Sequence, residues 1–322
     1  SRFASQKGKS KSCLRGSSDL KRKLLAVCGP TASGKTAFAV KLAKRLGGEV
    51  VSADCMLVYR GLDIGTAKPS EEEKEGVPHH MIDVAPPTGK YSVADYEQGA
   101  LAVCEKLWKE EIPPIVCGGT GFYIQSLLFT RGNGGAPADE NLRLEYEQIE
   151  REKGRLYLHS LLEEVDPQSA EKLHPNDVKR VIRALEIFRL TGRKKSEQED
   201  GFVPRVPYLA VAPEFPREEL YRRIDARVDV MLEAGLVEEV RSLLDSGVTP
   251  ESQSIQGIGY KEVVQYLNNE ISYSTMCDII KQNTRNYAKR QITFFKKLPG
   301  LLWLDVRDPN NVEKVAELYE RL

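Results

Sequence analysis

LLAVCGPTASGKT, residues 24–36, decides how the rest of the chain is read. An apolar run, LLAVCG (24–29), breaks into glycines and small polar residues, and TAFAVKLAKRLG (36–47) follows with the spacing of an amphipathic helix. The full GxxxxGK[ST] pattern between a strand and a helix is a strong phosphate signal. Its glycines let backbone amides approach an anion, and the helix N-terminus favours negative charge. Gly29, Pro30, Thr31, Ala32, Ser33, Gly34, Lys35 and Thr36 are therefore expected to cradle the phosphates of a ligand. Lys35 would reach the outer phosphate oxygens and Thr36 would reach Mg²⁺.

Outward from this stretch, apolar strands alternate with amphipathic helices, the signature of a parallel α/β sheet. EVVSAD (49–54) reads as a second strand, SVADYEQGALAVCEKLWKEE (92–111) as a helix opened by a Ser cap, and PPIVCGGTG (113–121) as a third strand and turn. The rhythm stops at the breaker-rich GNGGAPADENLR (132–143), and 141–195 reads as a run of helices. PYLAVAP (207–213) looks like a return to the sheet, and GLLWLDV (300–306) like a last strand. The expected fold class is α/β: a P-loop-type parallel sheet core from 23–132 and 206–322, interrupted by an inserted all-helical domain at 133–205.

With 322 residues the chain has ample length for a large core. No apolar run approaches the roughly 20 residues that span a bilayer, so no membrane association is expected. The six cysteines (13, 28, 55, 104, 117, 277) form no CxxC pair and no zinc-like spacing, which points to a reducing, cytoplasmic compartment. The net charge of zero hides an asymmetry: residues 1–23 hold eight Lys or Arg against one Asp, so the body is acidic by about seven charges. Residues 1–22 lack apolar content and read as a disordered basic tail, whether RNA arm, transit remnant or tag.

In an open parallel sheet, ligands bind outside the carboxyl ends of the strands. Besides the phosphate loop, two such ends carry chemistry. Asp54 closes EVVSAD and is expected beside the loop, because consecutive parallel strands usually neighbour each other. It suits a Mg²⁺ ligand, a general base or a helix cap, and spacing alone does not choose. GGTGFY (118–123) would present backbone amides and the Thr120 hydroxyl. Two basic runs stand out against the acidic body: KRVIRALEIFRLTGRKK (179–195) with seven cations, and KQNTRNYAKRQITFFKK (281–297) with six. In the second, Lys281, Arg285 and Lys289 fall on one helical stripe, a solvated face or an RNA surface. The adjacent His79 and His80 have poor metal-ligand spacing and read as loop packing.

GPTASGKT, SADCMLVYRGLDIGTAKP (52–69), GVPHHMIDV (76–84), YSVADY (91–96), GGTGFYIQSLL (118–128), HPNDVKRVIRALEI (174–187), GIGYKE (257–262) and AKRQITFF (288–295) together resemble the blocks of the tRNA dimethylallyltransferases, also called tRNA isopentenyltransferases, in order. The resemblance runs from about Lys23 to the C-terminus. It implies that the loop holds the diphosphate of dimethylallyl diphosphate, with Mg²⁺ as cofactor. The acceptor would be the exocyclic amine of the adenosine immediately 3′ of the anticodon in tRNA, and the products isopentenyladenosine and pyrophosphate. It assigns Asp54 as base, with Thr31 and Arg227 stabilising the departing pyrophosphate. It places Asp54, Cys55, Met56, Leu57, Thr120, Arg143, Lys179, Arg180, Val181, Ile182 and Arg183 against the anticodon stem-loop of tRNA. The expected working form is a monomer. The chain departs from the pattern at Cys55 and Leu57, where many members have Ser and Gln. Two other readings share parts of the pattern: an adenylate isopentenyltransferase acting on free AMP or ATP, and a P-loop small-molecule kinase. The kinase reading leaves GGTGFY and the basic helices unexplained, and the inserted helices with the GTAKP and PNDVKR blocks favour the tRNA branch over the free-adenylate one.

Overall fold

The computed structural model describes residues 22–130, 136, 138–197 and 202–322. The basic tail, Cys13 and most of the GNGGAP junction lie outside them. In chain order the first elements are β1 (Leu24–Cys28), α1 (Lys35–Leu46), β2 (Glu49–Ser52), α2 (Glu71–Lys74), β3 (His79–His80), α3 (Val93–Lys109), β4 (Pro114–Gly118) and α4 (Gly121–Leu128). β5 (Phe129–Thr130), α5 (Glu140–Lys153), α6 (Arg155–Val165), α7 (Pro167–Lys172), α8 (Val178–Thr191) and β6 (Val203–Pro204) follow. β7 (Tyr208–Pro213), α9 (Arg217–Glu233), α10 (Leu236–Asp245), α11 (Tyr260–Leu267), α12 (Tyr273–Phe295), β8 (Leu301–Leu304) and α13 (Asn310–Glu320) complete the chain. Two compact units result: one runs to Leu128 and resumes at Arg205, and the other is Phe129–Pro204. No described helix is long and apolar enough to cross a membrane.

The first unit is an α/β fold around a six-stranded sheet of order β3-β2-β4-β1-β7-β8, parallel at every pairing. β1 is buried along its whole length, as a near-continuous apolar run in a doubly covered sheet should be. On one face Leu25 and Val27 pack with Phe38 and Leu42 of α1 and with Val315 and Tyr319 of α13. α3 and α4 meet where the Tyr96 and Tyr123 rings stack 3.9 Å apart. α3 starts where its sequence says it should. Ser92 Oγ accepts from the Asp95 amide while the Asp95 carboxylate accepts from the Ser92 amide, a reciprocal cap.

One sequence expectation fails here. β1 and β2 are not neighbours, because β4 lies between them. Asp54 reaches the phosphate loop by another route: after β2 the chain curls across the end of β4. The Ala53 amide donates to Cys117 O (2.8 Å) and Ala53 O accepts from the Thr120 amide (3.1 Å). Gly118 permits the crossing, since a Cβ there would sit 2.1 Å from Ala53 O.

The second unit is helical apart from the short β5–β6 antiparallel pair. Leu158 and Leu162 of α6 pack against Val181, Ile182 and Leu185 of α8. Two acidic side chains are fully buried in it, Asp166 and Glu186. Asp166 caps α7, accepting from the Ser169 amide (3.2 Å), and takes the Ser196 amide (2.9 Å) and hydroxyl (2.5 Å) as well. Burial alone would raise both acids, but hydrogen bonds from these serines, and from Arg143 and Arg183 at Glu186, outweigh it and hold both below the usual carboxylate range.

A depressed folded value means that the stabilisation is complete above the unfolded value of about 4 and fades as pH falls through the folded value. Chemical denaturation should therefore show the parent flat from neutrality to about pH 5 and weakening below. Asp166→Ala should cost about 1–3 kcal/mol at neutral pH and soften that acid dependence. An unchanged acid profile in the variant would show that Asp166 plays no part in it.

Candidate active site

The phosphate loop is held in shape by backbone conformations that few residues adopt. Gly29 (φ 143°), Ala32 (φ 60°) and Gly34 (φ 78°) all have positive φ, and Gly34 is the left-handed N-cap of α1. Inside the turn, Pro30 O accepts from Ser33 Oγ (2.7 Å) and from Lys35 Nζ (3.2 Å). Ser33 is completely buried, so its hydroxyl braces the loop and is not presented to an anion. Gly29 and Pro30 likewise shape the loop from below: the cavity wall begins at Thr31.

A cavity of about 910 Å³ opens above the loop, wholly within the first unit. Of the sequence-predicted residues it brings together Thr31, Ala32, Ser33, Gly34, Lys35, Thr36, Asp54, Cys55, Met56, Leu57 and Arg227. Thr120 stands just behind this wall, where its Oγ1 accepts from the Cys55 amide at 2.9 Å. Asp54 Oδ1 accepts from the Met56 amide (2.9 Å), which fixes the carboxylate at the end of its loop. Burial lowers the Lys35 ammonium, and so does the nearby Arg227 charge. Arg227 is itself lowered by burial, against the opposing pull of Asp54 and Glu73. Two half-desolvated cations in one cavity repel each other, and a bound polyanion would relieve both. Burial pushes the Cys55 thiol up to about 11, with Asp54 adding to the effect, so this position is neutral at physiological pH.

The donor set also suits a hard cation. The Thr36 hydroxyl and the carboxylates of Asp54 and Glu73 line the same cavity. Among the described residues no three His, Cys, Asp or Glu side chains converge as a metal cage. Mg²⁺ fits such a place, since it is commonly held by one or two protein oxygens, substrate phosphates and water. Ser52 Oγ and His79 Nε2 are buried without a hydrogen-bond partner, in residues that line the cavity.

The sequence assigns no individual role to several working residues, although Gln291 falls in the AKRQITFF block. Gln291 of α12 is 5% exposed; its Oε1 accepts from the Thr31 amide (3.0 Å) and its Nε2 donates to Gly119 O (2.9 Å). One amide side chain thus ties the phosphate loop to the GGTG turn. A Cβ at Gly119 would come 2.2 Å from that Nε2, which is why a glycine stands there. Arg223 Nε donates to Ala32 O at 2.9 Å. Glu239 accepts from the Asp63, Ile64 and Gly65 amides and from the Tyr260 hydroxyl, pinning the GTAKP loop whose Thr66 O receives Arg227.

The helical unit divides the remaining predictions. Lys179 and Arg180 are exposed, with Arg180 paired to Asp177 (3.1 Å). Arg143 and Arg183 both pair with the buried Glu186. Val181 and Ile182 are 1% and 4% exposed and belong to the helical core, so their side chains cannot touch RNA. The C-terminal basic stripe is largely neutralised: Lys281 pairs with Asp229 (2.6 Å) and Arg285 with Asp225 (2.5 Å), docking α12 on α9.

A family model described as IPP transferase matches residues 57–298. The chain belongs to the IPP transferase family. Among its relatives, the tRNA dimethylallyltransferase of Acetivibrio thermocellus is 44% identical over 297 residues, covering 91% of this chain and 95% of the relative. That of Pelotomaculum thermopropionicum is 43% identical, covering 95% and 98%. Of solved structures, the tRNA isopentenylpyrophosphate transferase of Bacillus halodurans superposes with a TM-score of 0.71 at 40% identity, covering 93% of this chain and 96% of that one. A eukaryotic dimethylallyltransferase acting on tRNA gives 0.78 at 30% identity, covering 92% and 77%. The sequence blocks that mark the resemblance and the wall of the cavity coincide at the phosphate loop, Asp54 and the α12 glutamine.

Gln291→Ala should lower the affinity for pyrophosphate with Mg²⁺ by about tenfold, because the loop and the turn lose their shared partner. Two buried backbone groups left unpaired should destabilise the fold by about 1–3 kcal/mol. Calorimetric titration and chemical denaturation measure the two effects. Parent-like pyrophosphate affinity would remove Gln291 from the loop's architecture.

Proposed function

We propose that the chain transfers the dimethylallyl group of dimethylallyl diphosphate to the exocyclic amine of the adenosine immediately 3′ of the anticodon in tRNA, releasing pyrophosphate. The observation that carries this reading is the shared cavity, with Lys35 and Arg227 as half-buried cations and Asp54 as an oriented carboxylate. Family membership and the tRNA dimethylallyltransferase relatives support the same reaction.

The chemistry follows from placement. The diphosphate lies on the loop, where the Lys35 and Arg227 charges take up the negative charge that grows as the allylic C–O bond breaks. Thr31 adds a hydroxyl at the same wall. Mg²⁺, when bound at Thr36, supplies further positive charge to the diphosphate oxygens. The adenine amine is a weak nucleophile. As its nitrogen bonds to the allylic carbon, Asp54 takes the proton it sheds, and the leaving electron pair goes to pyrophosphate. A stacked loop base must be turned out to reach this depth. We assign the grip on the anticodon stem-loop to Arg143, Lys179, Arg180 and Arg183 of the helical unit.

Incubation with labelled dimethylallyl diphosphate and either bulk tRNA or AMP tests the reading directly: label is expected in tRNA, and label in AMP alone would transfer the chain to the free-adenylate class. Asp54→Asn should leave binding of the diphosphate nearly intact while transfer falls by about 10²–10⁴-fold. Parallel loss of Mg²⁺–diphosphate binding and rate would instead make Asp54 a metal ligand. Lys35→Ala and Arg227→Ala should each slow single-turnover transfer by about 3 kcal/mol of barrier, by analogy with single oxyanion donors. Unchanged rates in both would contradict donor binding at this loop.

A further inference from the structure

Glu186 is a charged side chain with no exposed surface, in the middle of α8, on a helical unit expected to meet RNA. Its surroundings are well defined. Arg143 of α5 lies side-on to it, Nε to Oε1 at 2.8 Å and Nη2 to Oε2 at 3.0 Å. Arg183 donates through Nη1 to the same Oε2 and through Nη2 to Ala136 O (2.6 Å). The Asp139 amide completes the set, 2.8 Å from Oε1. Each carboxylate oxygen thus accepts two donors, and hydrogen bonds outweigh the burial that would otherwise raise the acid. Yet the two guanidiniums are not enclosed: the side chains of Arg143 and Arg183 keep 40% and 32% of their surface. Lys179, exposed, lies one turn before Arg183 on the same stripe.

Two guanidiniums held against one carboxylate carry a net positive charge in a fixed position. Without the acid between them they would repel and splay. Each arginine would then have to give up rotamer freedom on meeting a phosphate. With it, that ordering is done before RNA arrives. A guanidinium has five N–H donors, more than a shared carboxylate can absorb. We propose that Glu186 is a positioning residue that orders Arg143 and Arg183 into one paired grip for the sugar–phosphate backbone of the tRNA stem-loop. The proposal rests on the tRNA reading above. The competing explanation is a structural clamp between α5 and α8, with no bearing on RNA beyond stability.

The two differ in sign and in coupling. Glu186→Gln removes a negative charge beside two cations, so simple electrostatics predicts tighter RNA binding. Preordering predicts weaker binding. Anticodon stem-loop RNA is titrated at several salt concentrations against the full-length parent, Glu186→Gln, Arg143→Ala/Arg183→Ala and the triple variant. Melting curves monitor the fold. Glu186→Gln is expected to bind about tenfold more weakly than the parent, despite its added net positive charge. In the background lacking both arginines the same change should no longer weaken binding. The double-arginine variant should lower the log–log salt slope by roughly 0.9 for each duplex phosphate it no longer neutralises. Glu186→Asp keeps the charge but shortens the reach. Should Glu186→Gln not fold, this variant carries the test, with weaker binding expected only where both arginines are present. Parent-like or tighter binding by Glu186→Gln would overturn the proposal, as would equal weakening in both backgrounds, the signature of a mere clamp. Absence of RNA binding by the parent would instead bring down the tRNA reading itself.

Discussion

Gln291 is the contact on which the geometry of the site depends. Its carboxamide accepts from the phosphate loop on one side and donates to the turn after β4 on the other. The loop follows β1, the turn follows β4, and Gln291 comes from α12, so one buried amide sets the relative position of three distant segments. Thr120, on the same turn, in turn holds the Cys55 amide, and through it the segment that carries Asp54. Asp54 and the phosphate-loop backbone are thereby referred to a common point. Reactions between two held groups are sensitive to displacements of an ångström or less, and this linkage is how the fold meets that requirement.

Electrostatics in the cavity favours an anion. Lys35 and Arg227 are both depressed by burial, and Lys35 also by the Arg227 charge, so the cavity is least comfortable without an anion. A cavity so lined gains from any ligand that restores charge balance and hydrogen bonding, which suits a diphosphate with its metal.

The sequence made the phosphate loop legible because its signal is local: glycines, lysine and threonine at fixed spacing between a strand and a helix. The cap of α3, the parallel sheet and the helical insertion were readable for the same reason. Strand order was not, because it depends on which crossover β4 takes, and it placed β4 between β1 and β2. The role of Gln291 was not legible: the AKRQITFF block carries it only as part of the resemblance, and one polar residue in a helix says nothing of the two backbone groups it will meet 170 and more residues away in the chain. Val181 and Ile182 show the opposite error. Carried over as part of a contiguous RNA-contacting stretch, they fall on the face of α8 that the helical repeat turns inward. The basic stripe on α12 looked free because its acidic partners, Asp225 and Asp229, lie on another helix.

The position of β1 has a consequence for how the chain is made. β1 pairs with β4 on one side and with β7 on the other, and the whole helical unit lies between those two partners in the sequence. On the ribosome, at about 5–20 residues per second, the roughly 90 residues from β4 to β7 take several seconds. Throughout that interval the most apolar strand of the nascent sheet has an open edge, the kind of edge that invites pairing with another chain. The helical unit, made of local contacts, folds quickly in the same interval. The synthesis order therefore has the sheet close late, only once the β7 strand beginning at Tyr208 has emerged.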